Sequence, residues 1–346
     1  MVRRGRTNKK KRGSGAAGTL LVLFLVLVAA AGAGAWLIFA PFGPETETFV
    51  DIAPGTSAVR IARQLESAGI VRTRYAFDAV RSWKHGRLRA GEYRFDHASS
   101  VLEVYTRIER GDVSTKTVVV PEGANIFDIA ARLQQAGFGA EDEFLKHAAQ
   151  QTALVRDIDP AAKSLEGYLF PDTYHFPRAA TPDQIAAAMV RRFRQAAAQI
   201  GLKENVHEVV TIASLVERET AVDQERPLVA SVFDNRLAKK MPLMTDPSVI
   251  YGLELQKLWR GTIYQSDLQR DTPYNTYKHA GLPPGPVANP GLPSLRAAMQ
   301  PARTGYLYFV AAGQNPQGHS LFAATLEEHN RNVAGYRAAV KKAGAQ

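Results

Sequence analysis

Cysteine is absent from all 346 residues, which excludes a disulfide framework, a cysteine nucleophile and a lipid-modified N-terminal cysteine. Histidine is sparse, at eight, and scattered. His207-Glu208 opens like a zinc-protease helix, but Thr211 stands where the second metal-binding histidine would fall. No metal and no cofactor is expected. A G-x-S-x-G elbow and a phosphate-binding loop are also missing, which removes the usual serine-hydrolase and nucleotide signatures. The net charge is +10, from 43 Lys and Arg against 33 Asp and Glu, but seven of the basic residues and no acid fall in the first twelve positions, leaving +3 for the remainder. A nearly balanced body lacks the basic stripe that phosphate contacts need, so no nucleic-acid partner is expected.

What is present begins with topology. Residues 1–18 form a basic tail, and residues 19–40 run for 22 positions without a charge, enough to cross a hydrocarbon core of roughly 30 Å as one helix. Basic flanks stay on the cytoplasmic side. The expectation is a single-pass anchor in the cytoplasmic (inner) membrane, N-terminus inside, with the rest of the chain on the periplasmic or extracellular side. A cleaved signal peptide is the alternative, and residues 29–35 offer small side chains for processing. Signal cores usually run about 7–15 residues, however, and this one is longer.

Residues 41–47 make a short Pro/Gly/Thr linker, and beyond it a unit is duplicated. Phe49-Val-Asp-Ile52 leads to Gly55, then Val59, Ile61, Ala62 and Leu65, and ends at Gly69. Sixty-eight residues later, Thr117-Val-Val-Val120 leads to Gly123, then Phe127, Ile129, Ala130 and Leu133, and ends at Gly137. Each copy reads as a β-branched strand, a glycine turn, a helix with apolar residues near i, i+3 and i+4, and a glycine stop. With helices expected at 74–83 and 99–108 and a strand at 90–95, residues 48–115 make a small α+β module. Its size and rhythm resemble glycan-binding modules of the LysM type. Residues 116–343 are expected to form a larger mixed α+β domain, with helices at 182–198, 206–219, 227–237 and 326–342 and a strand at 306–310. The fold class is α+β.

The helix at 206–219 carries the chemistry of interest. Val209, Ile212, Ala213 and Val216 make its apolar stripe, and Glu217 and Glu219 fall on opposite flanks of it. A carboxyl beside apolar neighbours can stay protonated near neutral pH, which general-acid chemistry on a glycosidic oxygen requires. Spacing leaves open which acid enters a cleft and which pairs with Arg218 or Arg226, or whether both are solvated. The segments 165–174, 245–252, 274–285 and 289–291 mix aromatic faces with Asn, Asp and Thr, a combination suited to sugar rings and common in surface turns.

Ala213-Ser-Leu-Val-Glu-Arg-Glu-Thr220, followed by Glu225-Arg226, Val229-Ala-Ser-Val-Phe233 and Asn235-Arg-Leu237, closely resembles the endolytic murein transglycosylases of the YceG-like family. Blocks at 166–174, 245–252, 274–285 and 306–310 match the same pattern, and the resemblance extends over the whole chain. It implies an anchored enzyme that cuts the β-1,4 bond between N-acetylmuramic acid and N-acetylglucosamine within nascent peptidoglycan strands, leaving 1,6-anhydromuramoyl ends and so able to terminate strand elongation. It also implies Glu219 as the catalytic acid, peptidoglycan strands as substrate, and penicillin-binding proteins among the partners. Glu217, Glu166, Asp246, Asn275 and Tyr277 are candidates for positioning the substrate or the acid. Hydrolytic glycosidases need two carboxylates. Here the sugar's own C6 hydroxyl replaces water, and one glutamate can give and then take the proton. The rival reading is a non-catalytic, anchored wall-binding protein that recruits wall synthases.

Overall fold

The uncharged run folds as one helix, α1 (Ser14–Phe39), of which Gly18–Phe39 has a mean hydropathy of 2.6 and is long and apolar enough to cross a membrane. The computed structural model describes residues 14–312 and 319–343, so the greater part of the expected basic tail lies outside the described residues. The chain divides into two compact units, residues 1–115 and 116–346.

In the first unit, α1 is followed by β1 (Thr48–Ile52), α2 (Ala58–Ser67), α3 (Arg74–Lys84), β2 (Gly91–Phe95) and α4 (Val101–Arg110). β1 and β2 pair antiparallel with Val50 opposite Tyr93. Alternation places Val50 and Ile52 inside and Asp51 outside, as a half-buried strand requires. Ile61, Leu65, Phe77, Val80, Tyr93, Phe95, Tyr105 and Ile108 fill the core beneath the strands. Local signals fix the helix ends. The Thr73 side chain accepts from the Tyr75 amide, Ser100 and Glu103 form a reciprocal capping box, and α4 stops at Gly111 with φ 76°. Leu37 and Ile38 at the end of α1 pack on the same core. Arg72 lies with its guanidinium carbon 4.4 Å from the Trp36 ring centre and 4.7 Å from that of Phe42.

The second unit contains β3 (Thr115–Val120), which reaches back one residue, α5 (Ile126–Gln135), α6 (Glu141–Gln150), β4 (Asp172–Pro177), α7 (Pro182–Ile200), α8 (Val206–Glu219), α9 (Arg226–Ala238), α10 (Asp246–Leu255), α11 (Gln265–Leu268), α12 (Leu292–Met299), β5 (Tyr308–Ala311), β6 (Ser320–Ala323) and α13 (Leu326–Ala343). β3 pairs with β4, and β5 pairs antiparallel with β6. The two copies of the duplicated sequence adopt the same local structure. β1 passes Gly55 (φ 80°) into α2 and stops near Gly69 (φ 70°), while β3 passes Gly123 (φ 76°) into α5 and stops near Gly137 (φ 75°).

Two hydrophobic cores share α8. Val210 and Ala213 belong to the core built on α5, α7 and β4, with Phe193 and Tyr168 in edge contact at 5.1 Å. Ile212, Leu215 and Val216 belong to the second, with Val229, Phe233 and Tyr251. Every residue from Val210 to Val216 is therefore buried, and the single apolar stripe read from the sequence describes only part of the helix. A second difference concerns residues 245–252, grouped above with loops. Thr245 is extended, and α10 begins at Asp246 with a proline in its first turn.

Phe77 is fully buried in the first unit and packs at 5.7 Å on Tyr105. Phe77→Ala is expected to lower unfolding stability by about 3–5 kcal/mol, measured by chemical denaturation. A change below about 1 kcal/mol would show that the module does not depend on that ring.

Candidate active site

The end of α8 separates its two acids. Glu217 turns inward, where its Oε1 meets Arg226 Nη1 at 2.8 Å and its Oε2 accepts from the Gly291 amide at 2.8 Å. Both side chains of the pair are nearly inaccessible, 4% and 6% exposed. Arg226 also donates to Ser294 Oγ at 2.6 Å and to Asp223 Oδ1 at 3.0 Å. Glu217 is thus committed to tying α8, α9 and the start of α12 together. A Cβ at Gly291 would lie 1.8 Å from Glu122 Oε1, so a larger residue there would displace the Glu122 side chain.

Glu219, two residues on, opens onto a cleft of about 530 Å³. The Thr245 hydroxyl donates to its Oε1. Its pKa is raised by burial, which outweighs the opposing Thr245 hydrogen bond. The Asp246 charge raises it further, and Arg236 and Arg218 pull it down. Asp246, exposed in the first turn of α10, accepts from the Tyr277 hydroxyl at 2.6 Å. Burial and the Asp246 carboxylate push the Tyr277 phenol well up, so it remains a proton donor. Phe233, Leu243, Tyr308 and Phe309 supply apolar and aromatic surface in the same cleft, and Arg236, His329 and Asn330 supply polar groups.

The remaining candidates lie behind this surface. Asn275 is buried. Its Nδ2 donates to Leu268 O and Arg270 O, and its Oδ1 accepts from the Tyr277 amide at 2.9 Å. It therefore shapes the turn that presents Tyr277. Thr276 Oγ1 accepts from the Thr245 amide at 3.0 Å and meets Ser248 Oγ at 2.9 Å, which fixes the residue that holds Glu219. Glu166 is away from the cleft and fully buried. It accepts from the Ile126 amide at 3.0 Å and from Asn289 Nδ2 at 2.8 Å, and its burial pushes its carboxyl up to about 8 against these bonds. Asn289 carries the network onward, accepting from the Leu169 amide and donating to Ala124 O. Glu219, Asp246 and Tyr277 are therefore brought together at one surface, while Glu217, Glu166 and Asn275 are hydrogen-bonding hubs of the interior. Arg236, Thr245 and Tyr308 stood within sequence blocks that drew attention without being singled out. His329 had no such signal.

Among the described residues no group of His, Cys, Asp and Glu is arranged to hold a metal ion. Fold and site together define a protein with an N-terminal apolar helix and a cleft centred on one raised-pKa carboxyl. The model of the YceG-like family matches residues 50–335. The endolytic murein transglycosylase of Bacillus subtilis (strain 168) is 34% identical over 308 residues, covering 83% of this chain and 84% of the relative. That of Streptococcus pneumoniae serotype 2 (strain D39) is 31% identical over 318 residues, and the alignment spans 82% of this chain and 57% of the longer relative. A crystal structure of a yceG-like protein from Listeria monocytogenes is similar with a TM-score of 0.53 and 31% identity, over 83% of this chain and 99% of that one. The chain belongs to the YceG-like family.

Removing one partner of a buried pair leaves the other charge unpaired, so Glu217→Ala is expected to lose about 3–5 kcal/mol of unfolding stability. Glu219→Gln, which mimics the neutral form that burial favours, is expected to keep the wild-type midpoint or exceed it at neutral pH. Equal losses in both variants would contradict the separation of the two acids.

Glu166 makes a prediction about pH. Its carboxyl titrates near 8 in the fold against an ordinary value of 4.5, so the native state retains a proton that the unfolded chain releases. Its contribution is full below the lower value and is lost as pH rises through the upper one. Glu166→Gln is expected to flatten that decline when urea midpoints are measured from about pH 5 to 8. An unchanged slope would mean that the carboxylate is ionised in the fold.

Proposed function

We propose that this chain is an endolytic murein transglycosylase with Glu219 as its catalytic residue. The carrying observation is that Glu219, unlike the arginine-paired Glu217, is partly buried, raised in pKa and open to a cleft large enough for sugar rings. Relatives of the same name at 31–34% identity over most of the chain support the reading over a purely wall-binding role.

In this mechanism protonated Glu219 gives its proton to the oxygen that bridges C1 of N-acetylmuramic acid and the next N-acetylglucosamine. The C1–O bond breaks as positive charge develops on the ring. The carboxylate so formed removes the proton from the C6 hydroxyl of the same muramoyl residue, and that oxygen closes on C1. A 1,6-anhydro end forms, no water is consumed, and Glu219 returns to its protonated state. Thr245 orients the carboxyl, and the Asp246 carboxylate, held by Tyr277, favours the protonated form before the bond breaks and the positive ring afterwards.

The βααβ order of the first unit is consistent with a LysM-type glycan-binding module over residues 48–115. With α1 as a single-pass anchor and the folded units on the outer face, the enzyme works on strands emerging beside the membrane. On the same reading, membrane-bound wall synthases, penicillin-binding proteins among them, are its neighbours.

Full-length protein in detergent, incubated with purified sacculi, is expected to release fragments ending in 1,6-anhydromuramic acid by mass spectrometry, and Glu219→Gln none. Reducing ends in place of anhydro ends would identify a hydrolase instead, with Asp246 activating water. The rate is expected to fall as pH rises through the raised pKa of Glu219, because the acid must begin protonated. Asp246→Asn removes a charge that raises that pKa, and is expected to move this alkaline limb to lower pH.

A further inference from the structure

The cleft has a part that the acid does not use. Tyr308 on β5 stacks on His329 of α13, with ring centroids 5.0 Å apart and planes 20° from parallel. Arg236 secures the arrangement. Its Nε donates to Leu307 O at 2.6 Å and its Nη1 to Leu243 O at 2.8 Å, while its guanidinium carbon lies 5.3 Å from the Tyr308 ring centre. With two of its three nitrogens committed to main-chain carbonyls of the cleft wall, Arg236 serves as a strut that fixes Tyr308.

His329 is held differently. Its ring makes no hydrogen bond among the described residues, and Nδ1 is shielded from solvent without a partner. With Nδ1 shielded, it is the rest of the ring that lines the cleft. Burial, with the Arg236 charge second, pushes its pKa below the ordinary histidine value. A neutral imidazole nitrogen donates or accepts according to its tautomer. N-acetylhexosamines present the complementary set, since hydroxyls both give and accept hydrogen bonds and the acetamido group carries one N–H and one carbonyl. Asn330, the next residue of α13, brings an amide to the same cleft.

We propose that His329, oriented by its stack on Tyr308, is a saccharide-binding residue that grips an N-acetylhexosamine of the glycan strand through the part of its ring that lines the cleft. This rests on reading the cleft as a glycan site with Glu219 as its acid. The contact holds the polymer while the acid acts on a neighbouring bond, so its loss weakens binding more than turnover.

The test uses full-length chain in detergent and soluble, uncrosslinked glycan strands. In a Glu219→Gln background, where strands are not consumed, His329→Ala is expected to weaken strand binding about 3–10-fold, the worth of one neutral hydrogen bond. His329→Gln, which keeps a donor and an acceptor, is expected to recover most of that. In the active background His329→Ala raises KM by the same factor and leaves kcat within about twofold. In the parent, addition of strands shifts the side-chain nitrogen resonances of His329, a readout independent of any variant's folding. Affinity equal to the parent in His329→Ala, or resonances unmoved by saturating strands, overturns the proposal. Continued cleavage by Glu219→Gln would instead sink the assignment of the acid. The His329 comparison would stay readable, because KM in that background reports the same contact.

Discussion

The buried pair between Glu217 and Arg226 is the interaction on which the site depends. α8 has hydrophobic cores on two sides, so whatever its last turn carries must be satisfied inside the protein or open to a cleft. Arg226, with Asp223 and Ser294 as further partners, satisfies one oxygen of Glu217. The Gly291 amide closes its second oxygen. The chain direction is thereby fixed at Glu217, and two residues later Glu219 opens onto the cleft. A strong structural ion pair thus sets the position of a carboxyl that has none.

The environment of Glu219 is built from segments far apart in sequence. Thr245 contributes the hydroxyl, and is itself held by Thr276 from the turn that Asn275 stabilises. Asp246 and Tyr277, 31 residues apart, meet as a hydrogen-bonded pair. Arg236 joins the segment that delivers Thr245 to the strand that delivers Tyr308, through bonds to Leu243 O and Leu307 O. The opposing charges of Asp246 and Arg236 act on Glu219 together with burial, and burial is the largest influence. Its pKa is raised by a low-dielectric setting with only one donor to offset it, which suits a group that must lose and regain a proton in each cycle.

Much of the architecture was legible in the sequence because it follows local rules. The uncharged run, the strand–glycine–helix duplication and the helix limits near 74, 182 and 226 rest on periodicity, capping and glycine stops, and the structure places them within a few residues. The doubly packed state of α8 was not legible, since a periodicity argument assumes one buried side. Nor could spacing tell Glu217 from Glu219, because what separates them is Arg226 and Gly291, reached through tertiary contact. Residues 245–252 read as a loop through their proline and polar residues, although Thr245 and Pro247 are what a helix start looks like. Asn275 and Glu166 drew attention for their chemistry, but buried polar hubs use the same residue types as binding sites. His329 lies in a helix of ordinary composition, and only its stack on Tyr308 and its place in the cleft wall mark it.

The measurement closest to the central claim is the ionisation of Glu219 itself. Carboxyl resonances of the full-length chain, assigned through Glu219→Gln and Glu217→Gln and followed against pH, report the two acids side by side. The account predicts a midpoint for Glu219 above the ordinary glutamate value of 4.5, moving downward when Asp246 is replaced by Asn. A midpoint at or below that value, insensitive to Asp246, would mean that no proton is held there for a leaving oxygen, and would contradict the account.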